Sequence, residues 1–596
     1  MSDSALPRPA RIAGTVLVWV LGAVLVLALA ATAWVTVRGV LAYTHLQKAQ
    51  STALQVKDHL TDTGAASSSI ASLSADTAAA RRLTSDPVWR ASEMLPWVGP
   101  QLSAVSTVAS TIDDVASTAL HPLTQVAASF SIDSLRPKDG KIDLASFTSI
   151  QSAATTAATG ITSAAASIDG IDRAPLVAPL RNAVDQVGDL LDQTEQATAS
   201  LTRVSALLPA MLGADGDRNY LVLFQNNAEL RSLGGVPGAM ALIHTHDGAM
   251  TMTAQAAATD FPVADTSVVP LGKEIVGIFG ERPGRWMQNI TQVPDFAITG
   301  QLARTMWANE HDGQKVDGVL SIDPIALSYL LKATGPVKLA TGDTLTSNNA
   351  VSLLLNDVYK RYTDPREQDA FFAAAAASVF SALAQGNADP GALVTALTRA
   401  GDEHRLLIWS AHHDDQKLLA DTTLAGGLPE TDATTARFGV YLNAGTASKM
   451  DYYLRDDISV DWGTCSVSSS GEASGTATLA VKLKSEAPKD AASLPSYIAG
   501  TGNRGPTPGT IRTVVYLYLP EPVQLVDAKL STGDGFGGGF HDGRHVLSYT
   551  VDLKPGKSAT ATITVKASGG VPSTLAVDAT PTVVSRDTVG LSSVCK

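Results

Sequence analysis

Residues 219–235 read NYLVLFQNNAELRSLGG, and the way this stretch divides decides the fold. Tyr220–Phe224 is an unbroken apolar run, long enough for a buried strand and too short for a helix. It passes directly into a loop holding two Asn, a Glu, an Arg and a Gly pair. Layered α/β proteins place ligand loops directly after such strands. Arg231 can fork onto phosphate or carboxylate oxygens, and a Gly pair lets backbone approach a ligand closely. Asn226, Glu229 and Arg231 are therefore candidate ligand-binding residues. The alternative is a structural turn closed by a Glu229–Arg231 contact.

The residues downstream extend the same layer. Ala239–His244 reads as a second strand turning at Asp247-Gly248, and Ala297–Trp307 as a helix. Residues 316–337 read VDGVLSIDPIALSYLLKATGPV: a strand, then Asp323 as N-cap with Pro324 in the first helical position. That helix stops at Thr334-Gly335-Pro336. Two more helices follow near Asn349–Tyr359 and Gln368–Ala384. Strands alternating with helices imply an α/β domain, here 217–428. At the junction of its last two helices lies YKRYTDPREQ, 359–368. Asp364-Pro365 opens a helix there, so Arg366 and Gln368 lie in a first turn whose amides favour an anion. A plain helix cap flanked by exposed charges is the alternative.

On the N-terminal side, residues 43–212 read as long helices poor in aromatics. Leu46, Ala49, Ala53, Val56 and Leu60 step by three and four. So do Val105, Val108, Ile112, Val115 and Ala119, and Phe147 through Ile171. Leu180, Val184, Val187 and Leu191 begin a fourth seam. This is coiled-coil spacing, and the Ala-rich seams allow close approach. An antiparallel helical-bundle stalk is expected.

Before the stalk, no charged residue stands between Arg11 and Arg38. As a helix, 12–37 would be about 39 Å long, enough to cross a hydrocarbon core of about 30 Å. Trp19 and Trp34 fit the interfacial belts, and Arg8 and Arg11 in the tail 1–11 hold the N-terminus in the cytoplasm. A cleaved signal peptide would have a shorter apolar region, roughly 7–15 residues. The expectation is a single-pass cell-membrane protein with its bulk extracytoplasmic.

Beyond Ala436 the period becomes two, as in Leu479, Val481, Leu483 and in Leu547, Tyr549, Val551, Leu553. Such strands with Gly and Pro turns argue for an antiparallel β-sandwich over 436–596. The fold class is thus multidomain α+β: transmembrane helix, helical stalk, central α/β domain and sandwich. Cys465 and Cys595 are the two cysteines of the chain. In an exported region they suggest one disulfide, with two unrelated buried thiols as the alternative.

Composition narrows the function. The 596 residues carry a formal charge of −13, with 17 % charged and 45 % hydrophobic residues. An acidic chain lacks the basic surface that nucleic acid requires. Mean hydropathy is +0.11, consistent with a lipid-embedded part. There is no H-E-x-x-H, C-x-x-C or G-x-S-x-G. Gly533–Gly538 satisfies G-x-G-x-x-G only formally. It sits between strands rather than opening a helix, and a hairpin loop is expected. His244 and His246 alternate on a strand without an evident third metal ligand.

Three motifs carry a resemblance: 219–235, 316–337 and NAGTASKMDYYL at 443–454. They resemble an uncharacterised family of membrane-anchored envelope proteins of high-GC Gram-positive bacteria, a domain of unknown function. The central domain also looks like a distant relative of the LytR-CpsA-Psr phosphotransferases. Those move glycopolymers from polyprenyl-pyrophosphate lipids onto the cell wall. The resemblance runs through Val319–Asp323, Leu330–Val337 and the junction at Arg361, Asp364, Arg366 and Gln368. It implies that Arg361, Arg366 and Gln368, with Arg231, face phosphate. It implies Mg²⁺, for which Asp260 and Asp265 are the candidate acids. Asp364 would orient the acceptor hydroxyl. The chain departs from that family where a paired Arg-x-Arg becomes Lys360-Arg361. Two functions follow as expectations. One is binding or Mg-dependent transfer of polyprenyl-diphosphate-linked glycopolymer. The other is a non-catalytic envelope scaffold with a degenerate α/β domain.

Overall fold

The computed structural model describes residues 8–58, 63–120, 136–138, 140–468, 472–503, 505–584 and 591–595. Leu60 of the first seam and residues 1–7 of the tail lie outside the described residues. The chain separates into two compact units. One comprises Met1–Ser131 and Leu144–Leu208; the other comprises Ile132–Asp143 and Pro209–Lys596.

The first unit is helical. Its leading helix, Arg8–Asp58, runs unbroken from the apolar stretch into the first seam. Val16–Thr52 is long and apolar enough to be a membrane anchor or a signal sequence. Its large apolar side chains point outward, Trp19 being 75 % exposed. Thr63–Leu83 packs against this helix through small residues, with Ala42, Ala49, Leu73 and Ala80 all buried. Arg38 donates to the Leu83 and Arg82 carbonyls at the end of that second helix, where a cation meets the negative end of the dipole. Arg38 also pairs with Asp86 at 3.0 Å. Asp86 caps Pro87–Ser92 by accepting from the Val88 and Trp89 amides. Gly99–Asp114, Ala145–Asp169 and Ala178–Met211 enclose a core holding Val108, Ala157, Ile161, Ile168, Val184 and Leu191. Within Ala145–Asp169, the seam residues Phe147, Ile150, Ala154, Ala157, Ile161, Ala164 and Ile168 are all buried, as their spacing requires.

Among the described residues, the second unit holds three large sheets. The first contains β1 (Arg218–Asn226), β2 (Val236–His246), β3 (Ala249–Ala257), β4 (Gly318–Ile322) and β7 (Leu406–Ser410). A small separate hairpin comprises β5 (Val337–Lys338) and β6 (Thr344–Leu345). The order is β3-β2-β1-β4-β7, with β1 and β4 parallel and the other neighbours antiparallel. Helix Phe296–Glu310 packs with Leu221, Leu223 and Trp409 of the sheet. A separate cluster joins helices Pro324–Thr334 and Pro390–Asp402 through Ile325, Tyr329 and Ala396. Asp323 and Pro324 start their helix as N-cap and N1, and Gly335 at φ 73° ends it. Residues 350–361 form one helical run with a π turn at Leu353–Asp357, which leads into buried Tyr359. Pro365–Ala384 follows.

The remaining strands are β8 (Thr435–Ala444), β9 (Leu454–Val467), β10 (Glu472–Ser485), β11 (Ile511–Tyr518), β12 (Val523–Leu530), β13 (Gly537–His541), β14 (Arg544–Leu553), β15 (Ser558–Pro572), β16 (Thr574–Ala579) and β17 (Ser592–Val594). They form two sheets, β12-β15-β10-β9 and β13-β14-β11-β8-β16-β17. Leu479, Val481 and Ile563 from one share a core with Leu442, Val515 and Leu517 from the other. Pairing is antiparallel except between β8 and β16, which run parallel. The glycine run at 533–538 is not a hairpin loop. It crosses from β12 in one sheet to β13 in the other, and its last two glycines pair with β14. Gly538 sits at φ 141°, and a Cβ there would meet the Val546 carbonyl oxygen at 1.9 Å. The run is therefore glycine-rich partly because two strands approach too closely for a side chain. Cys465 on β9 and Cys595 after β17 form a disulfide with Cα atoms 5.9 Å apart.

Candidate functional site

The loop after β1 is held by its own polar side chains. Asn226 Oδ1 accepts from the Ala228 amide at 3.0 Å, an Asx turn that bends the chain out of the strand. Gln225 Oε1 accepts from the Gly235 amide at 2.7 Å and closes the loop at its far end. A Cβ on Gly235 would lie 2.2 Å from the Asn226 carbonyl oxygen, and one on Gly234 2.4 Å from Gln225 Oε1. The glycine pair thus serves an approach of the loop to itself.

Inside this turn lies a buried charge cluster. Glu229 Oε2 accepts from Lys449 Nζ at 2.6 Å, and its Oε1 from Arg231 at 3.2 Å. Arg231 also donates to Asn289 Oδ1 at 3.0 and 3.2 Å and to the Leu230 carbonyl at 2.8 Å. All three guanidinium nitrogens therefore have protein acceptors. The Lys449 ammonium lies over the rings of Tyr359 and Tyr497, 5.6 and 5.3 Å from their centroids. Asn226 donates to the Tyr359 hydroxyl. Asp451 Oδ2 accepts from the Leu230 amide at 2.9 Å. Main-chain bonds run alongside, from the Asp451 amide to Ala228 and from the Ala444 amide to Leu230.

The electrostatics follow from burial set against pairing. Burial raises the Glu229 carboxyl, but Lys449 and Arg231 outweigh it and hold the group below its ordinary value. Burial lowers Lys449, yet Glu229 and the two tyrosines more than offset this, so it stays an ammonium and no nucleophile. Burial pushes the Tyr359 phenol far above its ordinary range. Asp451 is different. Burial, with Glu229 adding to it, raises the group to about 7, and the Leu230 amide, Arg231 and Lys449 do not compensate.

A second buried pair, Arg405 with Asp323, is touched by the next residue of the same loop, Asn227. Arg405 donates to Asp323 Oδ2 at 2.6 Å and to Glu403 at 2.7 Å. Asn227 reaches Asp323 at 3.1 Å and the Pro581 carbonyl at 3.0 Å. Arg405 also donates to the Thr582 carbonyl. The first cluster therefore joins the loop to the segment between β8 and β9, and the second joins it to the segment after β16.

The structure brings Asn226, Glu229 and Arg231 together but does not add the other candidates to them. Arg361 donates to both oxygens of Asp343 at 2.9 Å, on the surface. Arg366 is exposed and folds back on Asp364 at 2.8 Å, while Asp364 caps its own helix through the Arg366 amide. Gln368 is buried and donates to the Tyr362 carbonyl at 2.9 Å. The two candidate segments do meet, through Asn226 and Tyr359. Asp260 accepts from the Ala257 amide, and Asp265 is exposed. Among the described residues no group of three or more His, Cys, Asp or Glu could hold a metal ion. His246 pairs with Asp217 at 2.6 Å.

Sequence reasoning missed Lys449, Asp451, Asn289, Tyr497 and Arg405. One signal was available. Lys449 and Asp451 are the only charges in the otherwise uncharged run 438–454.

No curated protein and no solved structure matches this chain. Residues 215–359, from just before β1 to Tyr359, match the model of a domain family described as a protein of unknown function (DUF4012).

Proposed function

We propose that this chain is a membrane-anchored, extracytoplasmic scaffold of the cell envelope whose α/β layer does not catalyse. The observation that carries the reading is the buried Glu229–Lys449–Arg231 cluster. The loop where an α/β enzyme would receive its ligand is filled by residues from its own unit. Arg231 is the fork best suited to phosphate, and its nitrogens already grip Glu229, Asn289 and the Leu230 carbonyl. Moving it would leave Glu229 buried with half its charge compensation lost. The outward apolar face of Val16–Thr52 supports an anchor, and the Cys465–Cys595 bridge supports an oxidising compartment. In this reading the N-terminus is cytoplasmic, and the two C-terminal sheets are a sandwich used for contact with other envelope components.

The competing reading keeps the LytR-CpsA-Psr-like activity, with a polyprenyl diphosphate on Arg361 and Arg366 and Mg²⁺ between. Its support is that both arginines lie in exposed ion pairs, which exchange at little cost. One experiment separates the two. The full chain in mild detergent is melted with and without inorganic pyrophosphate and Mg²⁺, as wild type and as Arg361→Ala. The scaffold reading expects no change in midpoint in either protein. A ligand at a hundredfold its Kd would stabilise by about 2.7 kcal/mol. A Mg-dependent rise that disappears in Arg361→Ala would overturn the scaffold reading.

A further inference from the structure

The first unit contains an apolar groove with a volume of about 1590 Å³, and its position relative to the leading helix is informative. One wall is that helix, from Ala28 and Val35 in the apolar stretch to Gln50 well beyond it. The others are Gly99–Asp114, through residues such as Val105, and Ala178–Met211, through Leu180 and Val187. Among the described residues lining it there is no Asp, Glu, Lys, Arg or His. The same helices carry their charges elsewhere, among them Arg38, Lys48, Asp113, Arg181 and Asp185.

The near end of the groove is registered to the apolar stretch. Trp34 and Arg38 both bond to Asp86, at 3.3 and 3.0 Å, and Trp89 packs on Gly39. This holds the segment 86–98 level with the end of the stretch. The turn in that segment exposes Met94 at 86 % and Trp97 at 90 %, while Leu95 and Val98 line the groove mouth. An exposed tryptophan at this level fits the membrane interface. A contiguous apolar surface of this size marks a place where something apolar binds.

We infer that the groove receives one acyl chain of a membrane phospholipid, drawn up from the outer leaflet alongside the leading helix. The inference rests on the membrane-anchor reading above. Continuity selects the occupant: the groove begins on the face of the helix that would lie in lipid, so a chain enters without crossing water. Length suffices. From Thr36 to Gln50 the groove follows the helix for about 21 Å. One leaflet's chains span about 15 Å, half the hydrocarbon core.

The test reconstitutes the full chain in phosphatidylglycerol nanodiscs. The lipid is doped with phosphatidylglycerol carrying a photoactivatable diazirine at the acyl terminus, and crosslinked peptides are mapped by mass spectrometry. Label is expected on the apolar stretch and also on Gly99–Asp114 and Ala178–Met211. Ala183→Trp fills the groove from an exposed helix position. It should lower label on those two helices severalfold and leave the apolar stretch labelled. Leu190→Gln, at a 54 % exposed position, should do the same by making the wall polar. Label confined to the apolar stretch, or label on the two helices undiminished by both substitutions, would overturn the groove assignment while leaving the anchor intact. Absence of label on the apolar stretch itself would instead overturn the anchor reading.

Discussion

Replacing Asp451 with Asn should stabilise the second unit at neutral pH, and the gain should vanish toward pH 4. Asp451 is 4 % exposed and has the Leu230 amide as its hydrogen-bond donor at 2.9 Å. Burial raises its carboxyl from an ordinary value of 3.8 to about 7. Between these two values the folded chain holds a proton that the unfolded chain has released. Stability therefore falls as pH rises through this window, and is level above it. A difference of about three pH units corresponds to roughly 4 kcal/mol, taken as an upper figure. Asn keeps an oxygen for the Leu230 amide and has no charge to desolvate, so the variant escapes the loss. Larger domains shift by about 2 °C per kcal/mol, so the midpoints should diverge by up to about 8 °C. The assay is thermal unfolding of the detergent-solubilised full chain, wild type and Asp451→Asn, from pH 4 to 8. Titrating groups remote from Asp451 are common to both proteins and cancel, and Glu229, the carboxylate that faces it, is held below its ordinary value by Lys449 and Arg231 in both. A difference in midpoint that stays constant across that range would refute the reasoning.

Four further outcomes follow from the geometry. Gly235→Ala places a Cβ within 2.2 Å of a backbone oxygen that cannot swing away. It should unfold or misassemble the loop, seen as lost protease resistance around 225–235. Cys465→Ser with Cys595→Ser opens a loop closed over a separation of 130 residues. It should cost up to about 5 kcal/mol in denaturant unfolding. Arg405→Ala removes one partner of an ion pair that is 3 % exposed on each side and should cost about 3–5 kcal/mol. Arg361→Ala breaks a surface pair and should cost less than about 1 kcal/mol, so the two arginines should separate cleanly in one unfolding series.

What could be read from the sequence was what is local. The apolar run 220–224 and the Asp323-Pro324 start give β1 and its neighbouring helix because strand burial and N-capping act within a few residues. The seam from Phe147 to Ile168 is buried as its spacing demands. The Glu229–Arg231 contact was available as the structural alternative for the loop, and it is present. Lys449, which completes that contact, lies 220 positions away, and Arg405 lies 82 positions from Asp323. No periodicity reports a pairing of that range. Asp323 illustrates the limit: its capping role shows in the Asp-Pro step, while its role as an anion for Arg405 depends on how sheets meet. The glycine run at 533–538 shows the same limit, since it crosses between sheets rather than closing a hairpin. A turn composition signals that the chain bends, not which sheet it enters next.

The central claim is that Glu229, Arg231 and Lys449 form a structural joint within the second unit. A double-mutant cycle on Glu229→Gln and Lys449→Met, read by denaturant unfolding of the full chain, tests it most directly. The account predicts that each single change destabilises by about 3–5 kcal/mol, because Glu229→Gln leaves Lys449 buried without its anion and Lys449→Met leaves buried Glu229 with Arg231 as its remaining cation. The double variant should be less destabilised than the sum by at least about 1 kcal/mol. Strictly additive losses, or single variants as stable as the wild type, would contradict it.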